Sequence, residues 1–233
     1  MEELQEFDER ITSFQSDSVP DEPVFGLPAS LKEKIAPGCG ALQPFHGDTI
    51  AYFLDARVMG LAGAIADELH LRFGESLSQP LPAAMAHVTL HDLHASSNRE
   101  QVLPVMESGT AIAARLVAQA RAIGPIRAVC TAVFNLMNTS AAIGLRAANA
   151  EEHRKLVRAR SLFDEMVPSG PFTPHITLAY YRPEPPVPLP PIDFRHALNE
   201  LTGRIRGEPL TLAPDHLHLM RFDSMGNYWA AQR

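Results

Sequence analysis

The spacing of apolar positions predicts short strands that alternate with amphipathic helices from residue 49 to the C-terminus. Runs of β-branched and aromatic residues bounded by Gly, Pro or Asp predict strands over 49–55, 86–93, 126–136, 141–147, 175–181, 209–212, 216–222 and 228–231. Apolar residues three and four apart predict helices over 56–73, 97–122, 149–166 and 193–201. We expect Gly109 to break the second helix and Asn149 to cap the third.

The order of these elements favours an α+β fold. The helices interrupt the strands without the regular strand–helix–strand rhythm of a parallel sheet. The Pro-rich segment 184–193 predicts a stiff connector. Residues 1–40 mix acids, Ser and Pro, and they predict an acidic N-terminal extension before a body of residues 41–233. We expect this extension to contain at most one short helix and either to fold over the body or to be partly loose.

Charge is spread unevenly along the 233 residues. The formal net charge is −7, and residues 1–34 hold nine acidic and three basic side chains, which accounts for −6 of it. The rest of the chain is nearly neutral and has no basic stripe, so extended nucleic-acid binding is not expected. Its cations are almost all Arg, whose planar group suits individual phosphates, so a small anionic ligand fits.

Cysteine content and hydropathy exclude several classes of protein. Cys39 and Cys130 are far apart and fit no metal-binding spacing, so we expect neither a disulfide scaffold nor a zinc finger. No apolar run approaches the roughly 20 residues of a membrane span, and the acidic start MEELQEFDER is unlike a secretion signal. These features predict a cytoplasmic protein without a membrane partner.

One four-residue pattern occurs twice, 88 residues apart. The sequence HVTL begins at His87 and HITL begins at His175. A chain of this composition would contain such a quartet roughly 0.01 times by chance, so the matched pair is not noise. Both lie in predicted strands, where residues two apart point to the same face about 6.6 Å from each other. Each strand therefore presents one imidazole and one hydroxyl on the face opposite its apolar residues.

Two imidazoles and two hydroxyls suit phosphoryl transfer. A neutral imidazole can take a proton from water or from an attacking hydroxyl, while a protonated one gives a proton to the leaving oxygen. Histidine serves both roles near neutral pH, since its ordinary pKa is about 6.5. The hydroxyls of Thr89 and Thr177 can donate hydrogen bonds to phosphate oxygens as charge shifts in the transition state.

The paired motif resembles that of the two-histidine (2H) phosphoesterase superfamily, which includes RNA 2′,3′-cyclic phosphodiesterases and 2′-5′ RNA ligase-like proteins. The resemblance rests on residues 87–90 and 175–178, with further likeness in GDTIAYFLD, and covers about 45–233. It implies two pseudo-symmetric lobes, each an antiparallel sheet with outer helices, around a central groove that carries both HxT strands. It also implies that His87 and His175 are the acid and base, in an order left open, and that Thr89 and Thr177 bind phosphate.

His91 is a candidate for the substrate groove. Strict alternation along a strand would place it on the face of His87, at the groove or its rim. With His94 it also forms an H-x3-H-x2-H pattern that resembles a zinc site. On a strand, however, His87 and His91 are about 13 Å apart and cannot chelate one ion, so no metal is expected here.

Three further side chains are groove candidates. Tyr181 continues the alternation of the second motif and would lie at the groove mouth, where it could stack on a base. His218 shares a strand face with His216, although a half-exposed strand is the simpler interpretation. Arg221 lies one step off that face and would need a twist or a bulge to bind phosphate.

The sequence therefore predicts a metal-independent, cofactor-free phosphodiesterase. Neither a Walker A loop nor a Rossmann glycine pattern is present, so ATP and nicotinamide cofactors are not expected. The expected substrate is a small nucleotide or RNA end with a 2′,3′-cyclic phosphate or a 2′-5′ linkage. Two alternatives stay open: a related enzyme that acts on a non-RNA cyclic phosphate, and a protein that binds a nucleotide without turnover.

Overall fold

The computed structural model describes residues 2–16, 18–20 and 25–231. This part of the chain forms five α-helices: α1 (Leu4–Gln15), α2 (Ala56–Phe73), α3 (Arg99–Arg121), α4 (Ala150–Ser161) and α5 (Pro191–Ile205). It also forms eight strands: β1 (His46–Phe53), β2 (His87–Ser96), β3 (Ile126–Leu136), β4 (Ser140–Ala147), β5 (His175–Tyr180), β6 (Pro209–Leu212), β7 (Leu217–Ser224) and β8 (Asn227–Ala230).

The strands form two antiparallel sheets of four. The first sheet has the order β2-β1-β7-β8 and the second has the order β5-β4-β3-β6. The strands that carry the two HxT motifs, β2 and β5, are therefore edge strands, and they contact each other. This arrangement confirms the predicted α+β fold with one antiparallel sheet in each lobe.

Helices cover the sheets and share one core with them. Helix α3 packs on β1, β2 and β7, whereas α1, α4 and α5 contact β3, and α2 contacts β5. Most of the buried apolar side chains of both sheets belong to one continuous cluster, and Phe45, Phe222 and Met225 form a smaller second cluster. No helix within the described ranges combines the length and the apolar character that crossing a bilayer requires.

Two local predictions about helices have different outcomes. Asn149 caps α4, because its side chain accepts hydrogen bonds from the N–H groups of Glu151 and Glu152, as predicted. The expected break at Gly109 is wrong, since α3 runs through it without interruption. The methyl carbon of Met166 lies 3.0 Å from where a Cβ of Gly109 would be, so the glycine serves close packing.

The acidic N-terminal segment contributes to the core of the protein. Helix α1 buries Phe7 and Ile11 one turn apart on the side that faces β3. Further along, Leu31 and Ile35 are buried in the main cluster. Among the described acidic side chains of this segment, Glu3, Glu6, Glu9 and Glu33 are exposed. The composition of residues 1–40 therefore resembles that of an extension although its apolar residues are buried.

Candidate active site

The structure brings the two HxT motifs into one cavity. Each motif opens an edge strand, and His87, Thr89, His175 and Thr177 all line a cavity of about 330 Å³. The residue between His and Thr is buried on the opposite face of each strand, as the alternation of a strand requires. The predicted grouping of two imidazoles and two hydroxyls is thus present.

Both imidazoles are held in the same way by the backbone. Nδ1–H of His87 donates to the carbonyl oxygen of Met85 at 2.7 Å, and Nδ1–H of His175 donates to that of Thr173 at 2.8 Å. A carbonyl can only accept, so these bonds fix the proton on Nδ1. Nε2 is therefore the ring atom that each His offers to a ligand, and neutral Nε2 can accept a proton.

Burial and nearby groups both shift the pKa values of these two histidines. Burial lowers the pKa of His87 and that of His175, because a charged imidazolium is poorly solvated in the cavity. The charge of His175 lowers the pKa of His87 further. The carboxylate of Asp92 raises the pKa of both rings, since a nearby negative charge stabilises the imidazolium.

Each HxT strand contains a β-bulge directly after its Thr. In β2, Thr89 and His91 pair with consecutive residues of β1, so Leu90 has no partner. In β5, Thr177 and Ala179 pair with consecutive residues of β4, so Leu178 has no partner. An extra residue reverses the faces of the side chains that follow. The bulges therefore place a different set of residues at the cavity than strict alternation predicts.

The first bulge corrects the placement of His91. This residue is 1% exposed and does not line the cavity. Its Nδ1 donates to the carbonyl of Asp92 at 2.7 Å, and its ring packs on Phe163. The position expected for His91 on the cavity face is taken by Asp92. His94 contacts the carboxylate of Asp48, and none of the described residues form a cluster suited to a metal ion.

The second bulge corrects the placement of Tyr181. Its side chain is 1% exposed, packs edge-on against Phe25 and Phe194, and donates a hydrogen bond to Asn135 at 2.9 Å. Tyr180 lines the cavity in its place. Asp92 and Tyr180 both follow the His of their motif by five residues, so the two bulges have equivalent effects in the two lobes.

Neither His218 nor Arg221 lines the cavity, although both lie on β7 as predicted. The ring of His218 contacts Phe53, and its Nδ1 lies 3.3 Å from the guanidinium of Arg121, at the sheet margin beyond the end of β8. Arg221 donates to the hydroxyl of Thr110 in α3 at 3.0 Å. Because β7 pairs with β1 without a register shift, nothing turns Arg221 toward the cavity.

The sequence pattern did not identify several polar residues that line the cavity, among them Lys34, Asp92, Tyr180 and Tyr228. The ring of Tyr228 lies 4.6 Å from that of His87, and the hydroxyl of Tyr180 donates to the sulfur of Met225 at 3.2 Å. Burial raises the pKa of both phenols, so they stay protonated donors at neutral pH. The five-residue spacing after each His was the one signal available for Asp92 and Tyr180.

Three solved structures are similar to this chain, and the first of them, whose TM-score exceeds 0.5, supports the fold. A conserved protein of unknown function from Agrobacterium tumefaciens aligns over 94% of this chain and 96% of its own, with 15% identity and a TM-score of 0.61. The protein TT0787 of Thermus thermophilus aligns over 79% and 94%, with 20% identity and a TM-score of 0.48. Escherichia coli LigT complexed with 3′-AMP aligns over 81% and 97%, with 17% identity and a TM-score of 0.46.

Comparison with protein families identifies the group to which the chain is related. No curated protein gives a significant match. The profile of the 2′-5′ RNA ligase superfamily matches residues 61–225, which include both HxT motifs and most of the body. This match confirms the resemblance to the two-histidine phosphoesterases. The chain belongs to the 2′-5′ RNA ligase superfamily.

Proposed function

We propose that the protein is a phosphodiesterase that opens a 2′,3′-cyclic phosphate, or cleaves a 2′-5′ linkage, in a small nucleotide or RNA end. One observation carries this proposal. His87 and His175 line a single cavity, and each has its Nδ1 committed to a backbone carbonyl, so both offer Nε2 to the same ligand. Thr89 and Thr177 lie in the same cavity as hydroxyl donors for the phosphate.

The reaction follows from the protonation of the two rings. The neutral Nε2 of one His takes a proton from water as the water oxygen forms a bond to phosphorus. The protonated Nε2 of the other gives its proton to the leaving ribose oxygen as that P–O bond breaks. The Thr hydroxyls donate to the non-bridging oxygens, whose charge grows in the transition state. The product is a phosphomonoester, and proton exchange with solvent restores the pair.

The test is turnover in the presence of EDTA, followed by phosphorus NMR. The substrates are nucleoside 2′,3′-cyclic phosphates and a 2′-5′-linked dinucleotide. We expect His87→Ala and His175→Ala each to lose roughly 10²–10⁴-fold in kcat, because each removes one proton-transfer group. His218→Ala is the matched control, since it removes a strand histidine outside the cavity and should leave kcat unchanged.

The outcomes separate the remaining possibilities. Near-normal activity of either cavity variant, with an unchanged melting temperature, would contradict the two-histidine mechanism. Turnover of a sugar cyclic phosphate but of no nucleotide would replace the proposed substrate with a non-RNA one. Tight binding of a nucleotide that is never consumed would favour a binding role. The metal-independent reaction and the cytoplasmic location are predictions from the sequence, and turnover in EDTA tests the first.

A further inference from the structure

The cavity extends well beyond the two motifs. Along β1, alternate residues face the cavity side of the first sheet, and Ala51 pairs with Thr89 while Gly47 pairs with Ala95. Ala95 lines the cavity, as Thr89 does. Alternate residues of a strand are about 6.6 Å apart. The pair Gly47–Ala95 therefore lies roughly 13 Å along the sheet from the pair Ala51–Thr89. One phosphate group cannot fill this length.

The far end of the cavity is aromatic and carries a lysine. A Cβ at Gly47 would overlap the ring of Phe222, so the glycine lets that ring lie directly on the strand. Phe45 stacks on Phe222 with ring centroids 6.2 Å apart, and both line the cavity. The ammonium nitrogen of Lys34 lies 4.9 Å from the centroid of Phe45. The aromatic face holds the lysine at this end.

The surroundings of Lys34 favour the binding of an anion by its ammonium group. It supplies the one ammonium or guanidinium group among the described residues that line the cavity. Its side chain is partly buried, and burial lowers its pKa, an effect that Asp92 and Glu33 oppose from a distance rather than as ion-pair partners. Its backbone is fixed, because the N–H of Gln43 donates to its carbonyl at 2.8 Å and Ile35 is buried beside it.

Asp92 lies between this lysine and the histidines. It pairs with Thr49 of β1, which lies midway along that strand between Ala51, the partner of Thr89, and Gly47. Its charge acts on Lys34 at one end and on both imidazoles at the other. A carboxylate in this middle position repels phosphate and accepts hydrogen bonds from hydroxyl or amino groups.

We propose that Lys34 binds a second anionic group of the substrate, at the end of the cavity opposite the reacting phosphodiester. The portion of the substrate between the two anions carries a hydroxyl or amino group that donates to Asp92. This inference rests on the proposed function and narrows it to a phosphodiester that bears a further phosphate. That phosphate is either the next linkage of an oligonucleotide or part of a pyrophosphate. Lys34 precedes the family-matched residues 61–225, so this specificity belongs to the N-terminal segment.

The test compares substrates that differ only in the second charge. The first is a diadenosine dinucleotide that ends in a 2′,3′-cyclic phosphate, and the second is the same molecule with an uncharged methylphosphonate linkage. A cyclic phosphate of ADP-ribose represents the pyrophosphate source. We expect the wild type to prefer the charged dinucleotide or the pyrophosphate compound in kcat/KM, and Lys34→Met to lower that preference about tenfold through KM.

Matched variants control for charge and folding. Lys34→Arg should keep most of the preference, because it keeps the positive charge. Lys32→Met removes a lysine of the same segment that pairs with Glu184 outside the cavity, and it should leave the preference unchanged. Thermal melting of each variant shows whether the fold is intact.

Calorimetry makes the result independent of turnover. Binding of both dinucleotides is measured in His175→Ala, with and without Lys34→Met. Turnover by the wild type, with a substrate preference that Lys34→Met leaves unchanged in both kinetics and binding, would overturn the role of Lys34 and leave the proposed function standing. Absence of turnover in the wild type, with a binding preference that Lys34→Met removes, would overturn the phosphodiesterase and support the anion site. If the Lys34-dependent preference appears with the charged dinucleotide, the second anion is the next linkage of an oligonucleotide. If it appears with the ADP-ribose compound, the second anion is a pyrophosphate.

Discussion

The carboxylate of Asp92 counteracts the effect of burial on the two cavity histidines. Burial lowers the pKa of His87 and that of His175, whereas their hydrogen bonds to backbone carbonyls and, to a smaller extent, the charge of Asp92 raise both. In the proposed reaction one of the two rings must be protonated, so we expect this carboxylate to extend activity toward neutral pH. The alternation in HVT and HIT predicted that both histidines face one cavity, as they do. It could not predict Asp92, because the bulge at Leu90 leaves no mark in the hydrophobic pattern.

Asp92→Asn tests this electrostatic effect through a pH profile. Without the carboxylate, the pKa of each imidazolium falls, so the proton of the acid is lost at lower pH. We expect the basic limb of the kcat/KM profile to move to lower pH and the activity at about pH 7.5 to fall. Asp193→Asn, which removes an exposed carboxylate in the first turn of α5, serves as the control. Identical profiles for Asp92→Asn and wild type would contradict the effect.

At the scale of elements, one arginine links the two HxT strands. Arg160 of α4 donates to the carbonyl of Leu90 at the β2 bulge and to that of Gly170 in the loop before β5. Its guanidinium stacks over Phe172 in the same loop, 4.3 Å from the ring centroid. That loop also supplies the Thr173 carbonyl that orients His175. Arg160 therefore positions both motifs without lining the cavity.

Arg160→Met should lower kcat about tenfold with little change in KM. A misplacement of reacting groups by about 1 Å can cost up to about 10²-fold in rate. Loss of Arg160 removes one hydrogen bond to the bulge and one to the loop, although Arg10 still binds the carbonyl of Phe172. Arg158→Met is the control, because Arg158 is exposed on the same helix. Steady-state kinetics together with thermal melting distinguishes a positioning role of Arg160 in the reaction from a role in stability alone. A loss of stability with an unchanged kcat at low temperature would show that Arg160 is merely structural.

At the scale of the molecule, the N-terminal segment is part of the body. Composition averages over residues 1–40 and is dominated by their acids, so it predicts an extension. The few apolar residues are the ones that matter for packing: Phe7 and Ile11 lie one turn apart and are each 1% exposed. Strand and helix periodicity was enough to predict the fold class. The packing of this segment could not be predicted in this way, because it depends on contacts with residues more than a hundred positions away.

Ile11→Ala should lower the free energy of unfolding by about 2–5 kcal/mol, since it leaves a void in a fully packed site. Leu71→Ala, at a leucine that is 87% exposed, should change it by no more than about 0.5 kcal/mol. Urea denaturation of both variants and the wild type gives the comparison. Similar stabilities for the two variants would show that α1 is dispensable for the fold.

The paired bulges have a consequence for the direction in which a substrate enters. The two lobes present the same imidazole and hydroxyl, and a site built from these alone would accept a phosphodiester equally well in either direction. The next polar residue that lines the cavity after the Thr of each motif differs between the lobes. In the first lobe it is the carboxylate of Asp92, and in the second it is the neutral phenol of Tyr180. The two directions therefore differ in energy. One residue in each half thus makes the two ends of the site different, and in the proposed reaction we expect this difference to decide which oxygen leaves.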